Sequence, residues 1–149
     1  MAQTYFGSTV RAGSGTLTDT VDGGFMVLAQ TTTVTTVAAG TAASATITLP
    51  ASSQIINFLV DTVQDEVVGG GTATAIAMTI GTAAAGTQYV SSTDVIGGGR
   101  IALTFTAAQL AAMADIGTSQ SVVITVDPNG TISTTQGIYR LTVVYAQKV

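Results

Sequence analysis

Ile55-Ile-Asn-Phe-Leu-Val60 and Ile76-Ala-Met-Thr-Ile80 decide the fold of this chain. Ile56, Phe58 and Val60 recur two apart in the first piece, as Ile76, Met78 and Ile80 do in the second. A period of two sends alternate side chains to one face of an extended backbone, so each piece reads as a strand that buries one side. Asp61, Asp65 and Glu66 close the first run and Gly69-Gly-Gly71 breaks it, which predicts two strands joined by a glycine-marked turn. Such a pair is marginal alone in water. Its apolar side needs further strands or a second sheet above it.

Upstream, Phe25-Met-Val-Leu-Ala29 opens an apolar run that continues through Thr31-Thr-Thr-Val-Thr-Thr-Val37. Threonine and valine favour extended backbone, as one long strand or as two pieces separated by a bulge. Thr46-Ile-Thr-Leu49 alternates up to Pro50, whose missing N–H stops a ladder. Before residue 25, Tyr5, Phe6 and Val10 stand among interrupting glycines, and residues 1–24 read as an N-terminal arm or peripheral segment. Residues 25–149 then form a single β-sandwich domain.

Downstream, Gly81-Thr-Ala-Ala-Ala-Gly86 reads as a surface loop, Gln88-Tyr-Val90 as a brief pairing segment, and Ser91 to Gly99 as an excursion. Ile101, Leu103 and Phe105 alternate like a half-buried strand. Thr106-Ala-Ala-Gln109 matches a capping box, and Leu110, Met113 and Ala114 share a helical face before Gly117. One short helix over residues 107–115 follows. Val122, Ile124 and Val126 lie on one side of a strand that ends in the turn Asp127-Pro-Asn-Gly130, where Gly130 is expected to take positive φ. Tyr139, Leu141, Val143 and Tyr145 alternate in the last strand, and Val144 beside Val143 indicates cover on both faces.

About eight strands and one short helix leave no helical crossovers, so a parallel α/β architecture fails. The fold class is all-β: an antiparallel β-sandwich of jelly-roll type, preferred to an immunoglobulin-type sandwich. At 149 residues the chain buries about two-thirds of its extended surface, enough for a core.

Composition narrows the function. Histidine and cysteine are absent, which removes the usual nucleophile-activating pairs and the commonest transition-metal ligands. The Asp61, Asp65 and Glu66 group is a weak oxygen-ligand candidate for calcium, with a solvated acidic turn as the plainer reading; no metal, cofactor or small-molecule substrate is assigned. Gly69-Gly-Gly-Thr72 and Gly97-Gly-Gly-Arg100 lack the Gly-Lys-Ser/Thr ending of a phosphate loop. Arg11, Arg100, Arg140 and Lys148 stand singly against an acidic balance, which argues against nucleic acid. No apolar run is long enough to span a bilayer as a helix, and the opening Met-Ala-Gln-Thr-Tyr-Phe-Gly has no basic residue before an apolar core. Only 8% of residues are charged, against roughly 25% in ordinary domains, so either the surface is neutral and threonine-rich or much of it is covered by protein. Candidate interface residues are Tyr5, Phe6 and Val10 in the arm, with Arg100, Tyr139 and Tyr145. For the last three, a solvated arginine and tyrosines packed in the core or on a sheet are the ordinary alternatives.

The order Leu49-Pro-Ala, Ile55-Ile-Asn-Phe-Leu-Val60, Gly69-Gly-Gly-Thr72 and Ile80-Gly-Thr-Ala-Ala-Ala-Gly-Thr87 resembles capsid decoration (cement) proteins of tailed bacteriophages, which have a jelly-roll-like body. Phe105-Thr-Ala-Ala-Gln-Leu110 and Tyr139-Arg-Leu-Thr-Val-Val-Tyr145 are compatible with that type, so the resemblance spans about residues 45–147. It implies a non-enzymatic virion protein on the outer capsid surface, made in the host cytoplasm. Its partner would be the major capsid protein, and its own state a homo-oligomer, with a trimer favoured. A head or tail fibre or spike module and a host-surface carbohydrate-binding module are the alternatives, the latter short of aromatic platforms.

Overall fold

Among the described residues, eight strands and one helix follow one another as β1 (Phe25–Thr35), β2 (Ala43–Leu49), β3 (Ser53–Gln64), β4 (Ile76–Gly81), β5 (Val90–Asp94), β6 (Arg100–Ile101), α1 (Ala107–Ala114), β7 (Gln120–Pro128) and β8 (Ile138–Lys148). This computed structural model describes residues 25–37, 40–67, 71–114, 117–132 and 135–148, so the expected arm over residues 1–24 lies outside the described residues. The Phe25 run is one unbroken strand of 11 residues.

β1 pairs with β8, β2 with β7, β3 with β6 and β4 with β5, all antiparallel. These are the pairings of one long two-stranded ribbon, reversed at β4–β5 and closed by the first and last strands. Winding the ribbon also lays β8 against β3 and β7 against β4. Two four-stranded sheets result, β1-β8-β3-β6 and β2-β7-β4-β5, with β1 lying over β2. β3 and β4 therefore sit in opposite sheets and do not form a hairpin. Their apolar sides meet across the core instead.

The connection between them is fastened from outside. The Thr74 and Ala75 N–H groups donate to Asn129 Oδ1 at 2.7 and 3.0 Å, and Thr72 N–H donates to the Thr131 carbonyl at 2.9 Å. Asp127-Pro-Asn-Gly130 is thus a clamp on another loop as well as the end of β7. Gly130 does not take the positive φ expected of it. Its role is close approach, since a Cβ there would lie 2.6 Å from Thr72 Oγ1.

The core is the inner faces of the two sheets. Ile76, Met78 and Ile80 are fully enclosed, as are Val122, Ile124 and Val126 of β7, with Met78 opposite Val126 and Ile80 opposite Ile124. From the other sheet come Ile55, Phe58, Val60, Tyr139, Leu141, Val143 and Tyr145. Each fully buried aliphatic side chain of this kind contributes about 1.5–3 kcal/mol through removal from water. β7 is central in its sheet, and its outward Val123 and Thr125 are buried too. The 81–86 loop lies on that side, where Ala85 N–H donates to Thr125 Oγ1 at 2.9 Å.

One expected core position fails. Ile56 is 49% exposed, while Ile55 and Phe58 are buried. The register of β3 on β8 shifts between Ile55 and Asn57, and again between Thr62 and Gln64. Each shift is a β-bulge with one extra residue, and a bulge interrupts the period of two. Asn57 Oδ1 accepts the Phe58 N–H at 2.8 Å at the first of them. The extra residues, Ile56 and Val63, face solvent.

Two further segments differ from expectation. Val90–Asp94 is a strand beside β4, where an excursion was expected over Ser91–Asp94. The Asp94 carboxylate holds its end, accepting the Ile76 N–H at 3.0 Å and the Ile96 N–H at 3.2 Å. Past it, only Arg100 and Ile101 join the ladder as β6; Leu103 and Phe105 pack on the core without strand pairing. The capping box forms as read, with Thr106 N–H donating to Gln109 Oε1 at 2.8 Å and Gln109 N–H to Thr106 Oγ1 at 3.3 Å. The buried residues of α1 are Gln109 and Met113, and Leu110 is exposed. The helix face is set by Gln109, whose Nε2 donates to the Thr87 carbonyl and to Ser91 Oγ at 3.2 and 3.0 Å.

Candidate interaction surface

The outer face of the β1-β8-β3-β6 sheet carries the two ion pairs found among the described residues. Asp61 on β3 has Arg140 of β8 directly opposite on one side and Arg100 of β6 on the other. Arg100 Nε donates to Asp61 Oδ1 at 2.8 Å, and Arg140 Nη2 to Asp61 Oδ2 at 3.2 Å. The hydrogen bond from Arg100, supported by that from Arg140, holds the Asp61 carboxyl below its ordinary value and raises the Arg100 guanidinium. The arginine side chains remain 62% and 48% exposed. Arg100, a candidate interface residue, is therefore held by a carboxylate of its own chain. Its remaining N–H groups are free to face outward.

Tyr139 and Tyr145, the aromatic candidates, are enclosed in the sandwich and present no ring to a partner. Tyr145 Oη accepts from Gln30 Nε2 at 2.9 Å. Tyr139 O–H donates to Glu66 Oε2. Burial pushes the Tyr139 hydroxyl far above the ordinary tyrosine range, and the Glu66 carboxylate adds to that shift. Both positions take the packing role. Tyr5, Phe6 and Val10 lie outside the described residues.

The acidic group does not converge. Asp61 turns to its arginines, Glu66 turns inward to Tyr139, and Asp65 lies against Gly98. Gly98 permits this because a Cβ there would stand 2.5 Å from Asp65 Oδ2, and its φ of +79° suits glycine. Among the described residues no three acidic side chains are grouped to hold a metal ion. Glu66 Oε1 is buried without a hydrogen-bond partner.

The two sides of the sandwich differ. On the β5–β6 side the edges are short, five and two residues, β5 carries a register shift, and α1, which packs against β3, is tied to β5 by the bond from Gln109 Nε2 to Ser91 Oγ. On the β1–β2 side the edges are 11 and seven residues long with unshifted registers. Phe25-Met-Val-Leu-Ala-Gln-Thr-Thr-Thr-Val-Thr35 and Ala43-Ser-Ala-Thr-Ile-Thr-Leu49 contain no charged residue and no proline. Core-facing Leu28, Ala43 and Ala45 are only partly buried there, and Met26 and Val27 are 54% and 65% exposed. The uncharged run was legible in the sequence; that both runs are edges on one side was not.

Compared with known protein families, with curated proteins and with solved structures, the chain matches none.

Proposed function

We propose that this chain is a structural virion protein, a capsid decoration protein that binds the outer surface of a tailed-phage capsid and stabilises contacts between major capsid subunits. The observation that carries the reading is a sandwich whose broad surfaces are threonine and alanine rather than charge. Its most prominent ionic group, Asp61 with Arg100 and Arg140, is already paired within the molecule. A surface of this kind is covered by another protein without the large cost of stripping water from unpaired charges. The wound ribbon of β1 with β8, β2 with β7, β3 with β6 and β4 with β5 supports describing the body as a jelly roll. The role is mechanical: a rigid β body bridges neighbouring subunits, and many weak contacts repeated by the symmetry of a shell hold it there. The proposed partner is the major capsid protein and the place of action the outer face of the virion.

The test is binding of the purified protein to expanded shells of its own phage that lack it, followed by a near-atomic particle map. Ordered density at symmetry-related positions on the outer surface, touching more than one capsid subunit, is expected. Failure to bind overturns the assignment, and density confined to the tail replaces it with the fibre or spike reading.

A further inference from the structure

A strand at the edge of a sheet presents a row of unpaired N–H and C=O groups, and folded proteins protect such edges by shortness, charge, proline, bulges or a covering segment. The β5–β6 side shows these devices: strands of five and two residues, a register shift, Asp94 and Arg100 on the edges, and α1 tied to β5 through Gln109 and Ser91. The β1–β2 side shows none within its strands. Among the described residues β1 pairs with β8 alone and β2 with β7 alone. Both edges lie on the same side of the sandwich, one in each layer.

We propose that this double edge is a self-association surface, at which two copies of the chain join β1 to β1 and β2 to β2 in antiparallel pairs. The geometry selects a second copy over other strands. A two-fold axis normal to the sheets turns each edge onto its own counterpart with strand directions reversed and inner faces still inward. One operation therefore continues both layers at once, and each four-stranded sheet becomes half of an eight-stranded one. An unrelated partner would have to offer two uncharged strands spaced as β1 and β2 are, one for each layer. The chain offers that arrangement itself. Neither edge carries a charge to be desolvated or to repel its copy, and pairing would cover the partly buried Leu28, Ala43 and Ala45. The inference stands apart from the capsid reading and is tested without a shell. It also assigns a two-fold pair where the family resemblance implies a trimer.

The experiment uses the full chain. Sedimentation equilibrium over a range of concentrations is expected to give a species of twice the 14.8 kDa chain mass. Ala29 and Thr46 are exposed on the outer faces of the two edges. Ala29→Lys with Thr46→Lys places lysines across the two-fold from one another, and should raise the dimer dissociation constant about 100-fold. Ser92→Lys, an exposed site on β5, adds a lysine on the protected side and should leave the dimer unchanged. Hydrogen exchange on the unmodified protein gives a readout independent of whether the variants fold: β1 and β2 amides that point away from β8 and β7 should be protected at dimer concentrations and exposed on dilution. A monomer at every concentration, a trimer, or a dimer that survives the double substitution overturns the proposal. So does protection of β1 amides in a monomer, which would assign the edge to the chain's own first 24 residues.

Discussion

Tyr139 and Glu66 form a buried polar pair, and what each contributes depends on the other. Tyr139→Phe removes the donor and leaves the buried Glu66 carboxyl without its partner, so it should destabilise the fold by about 3 kcal/mol. Tyr145→Phe removes a hydroxyl whose partner Gln30 is only half-buried and should cost less, about 1 kcal/mol. Urea unfolding of the two variants measures the difference, and equal losses would reject it. Asp61 supplies a test by pH. Its folded value lies below the ordinary 3.8, so its ionised form adds stability fully above that value and loses it as pH falls through the lower folded one. Asp61→Asn should therefore be less stable than the unmodified protein at neutral pH, with the gap closing in acid below 3.8. A gap that does not change with pH would show that the arginine pairing contributes nothing to folding.

At the scale of elements, the β3 bulges decide which neighbours of Phe58 matter. Ile55→Ala should cost about 2–5 kcal/mol, as large-to-small changes in a core do, and Ile56→Ala under about 0.5 kcal/mol. Thermal and urea midpoints of the pair check this directly; a reversed order would mean that the strand follows the unbroken alternation of its sequence. The helix offers the same contrast. Gln109 holds the cap and two contacts to the β4–β5 loop and strand β5, while Leu110 faces solvent. Gln109→Ala should therefore cost more than Leu110→Ala, by about 1–2 kcal/mol.

For the whole molecule, the ribbon pairing makes the last strand indispensable. β8 lies between β1 and β3, so a chain ending at residue 136 loses the centre of one sheet and strands β1 without a partner. Such a truncation should show no cooperative unfolding transition, and a retained one would refute the ladder order. The same pairing joins residues 25–35 to residues 138–148, nearly the full length of the chain. Contacts so distant in sequence require costly loop closure before they are rewarded, so refolding should take milliseconds to seconds, as in other sandwiches. Stopped-flow refolding measures it.

By itself the sequence determined the class of fold, most of its strands and the described helix, because these rest on local chemistry; strand β5 and the shortness of β6 escaped it. Threonine and valine stiffen extended backbone, glycine and proline interrupt it, and a period of two shows which side is buried. Ile76, Met78 and Ile80, or Tyr139, Leu141, Val143 and Tyr145, needed nothing more. The same locality explains the misses. Whether β3 and β4 share a sheet, which residue of Ile55 and Ile56 points inward, and which face α1 buries depend on partners far away in the chain: β8, the bulged register, and the Thr87 and Ser91 contacts of Gln109. The candidate surface divides in the same way. The chargeless runs of β1 and β2 stand in the sequence, but only winding the ribbon sets them side by side as the edges of the described sheets. It also turns two candidate tyrosines inward and brings Arg100 and Arg140 onto one aspartate.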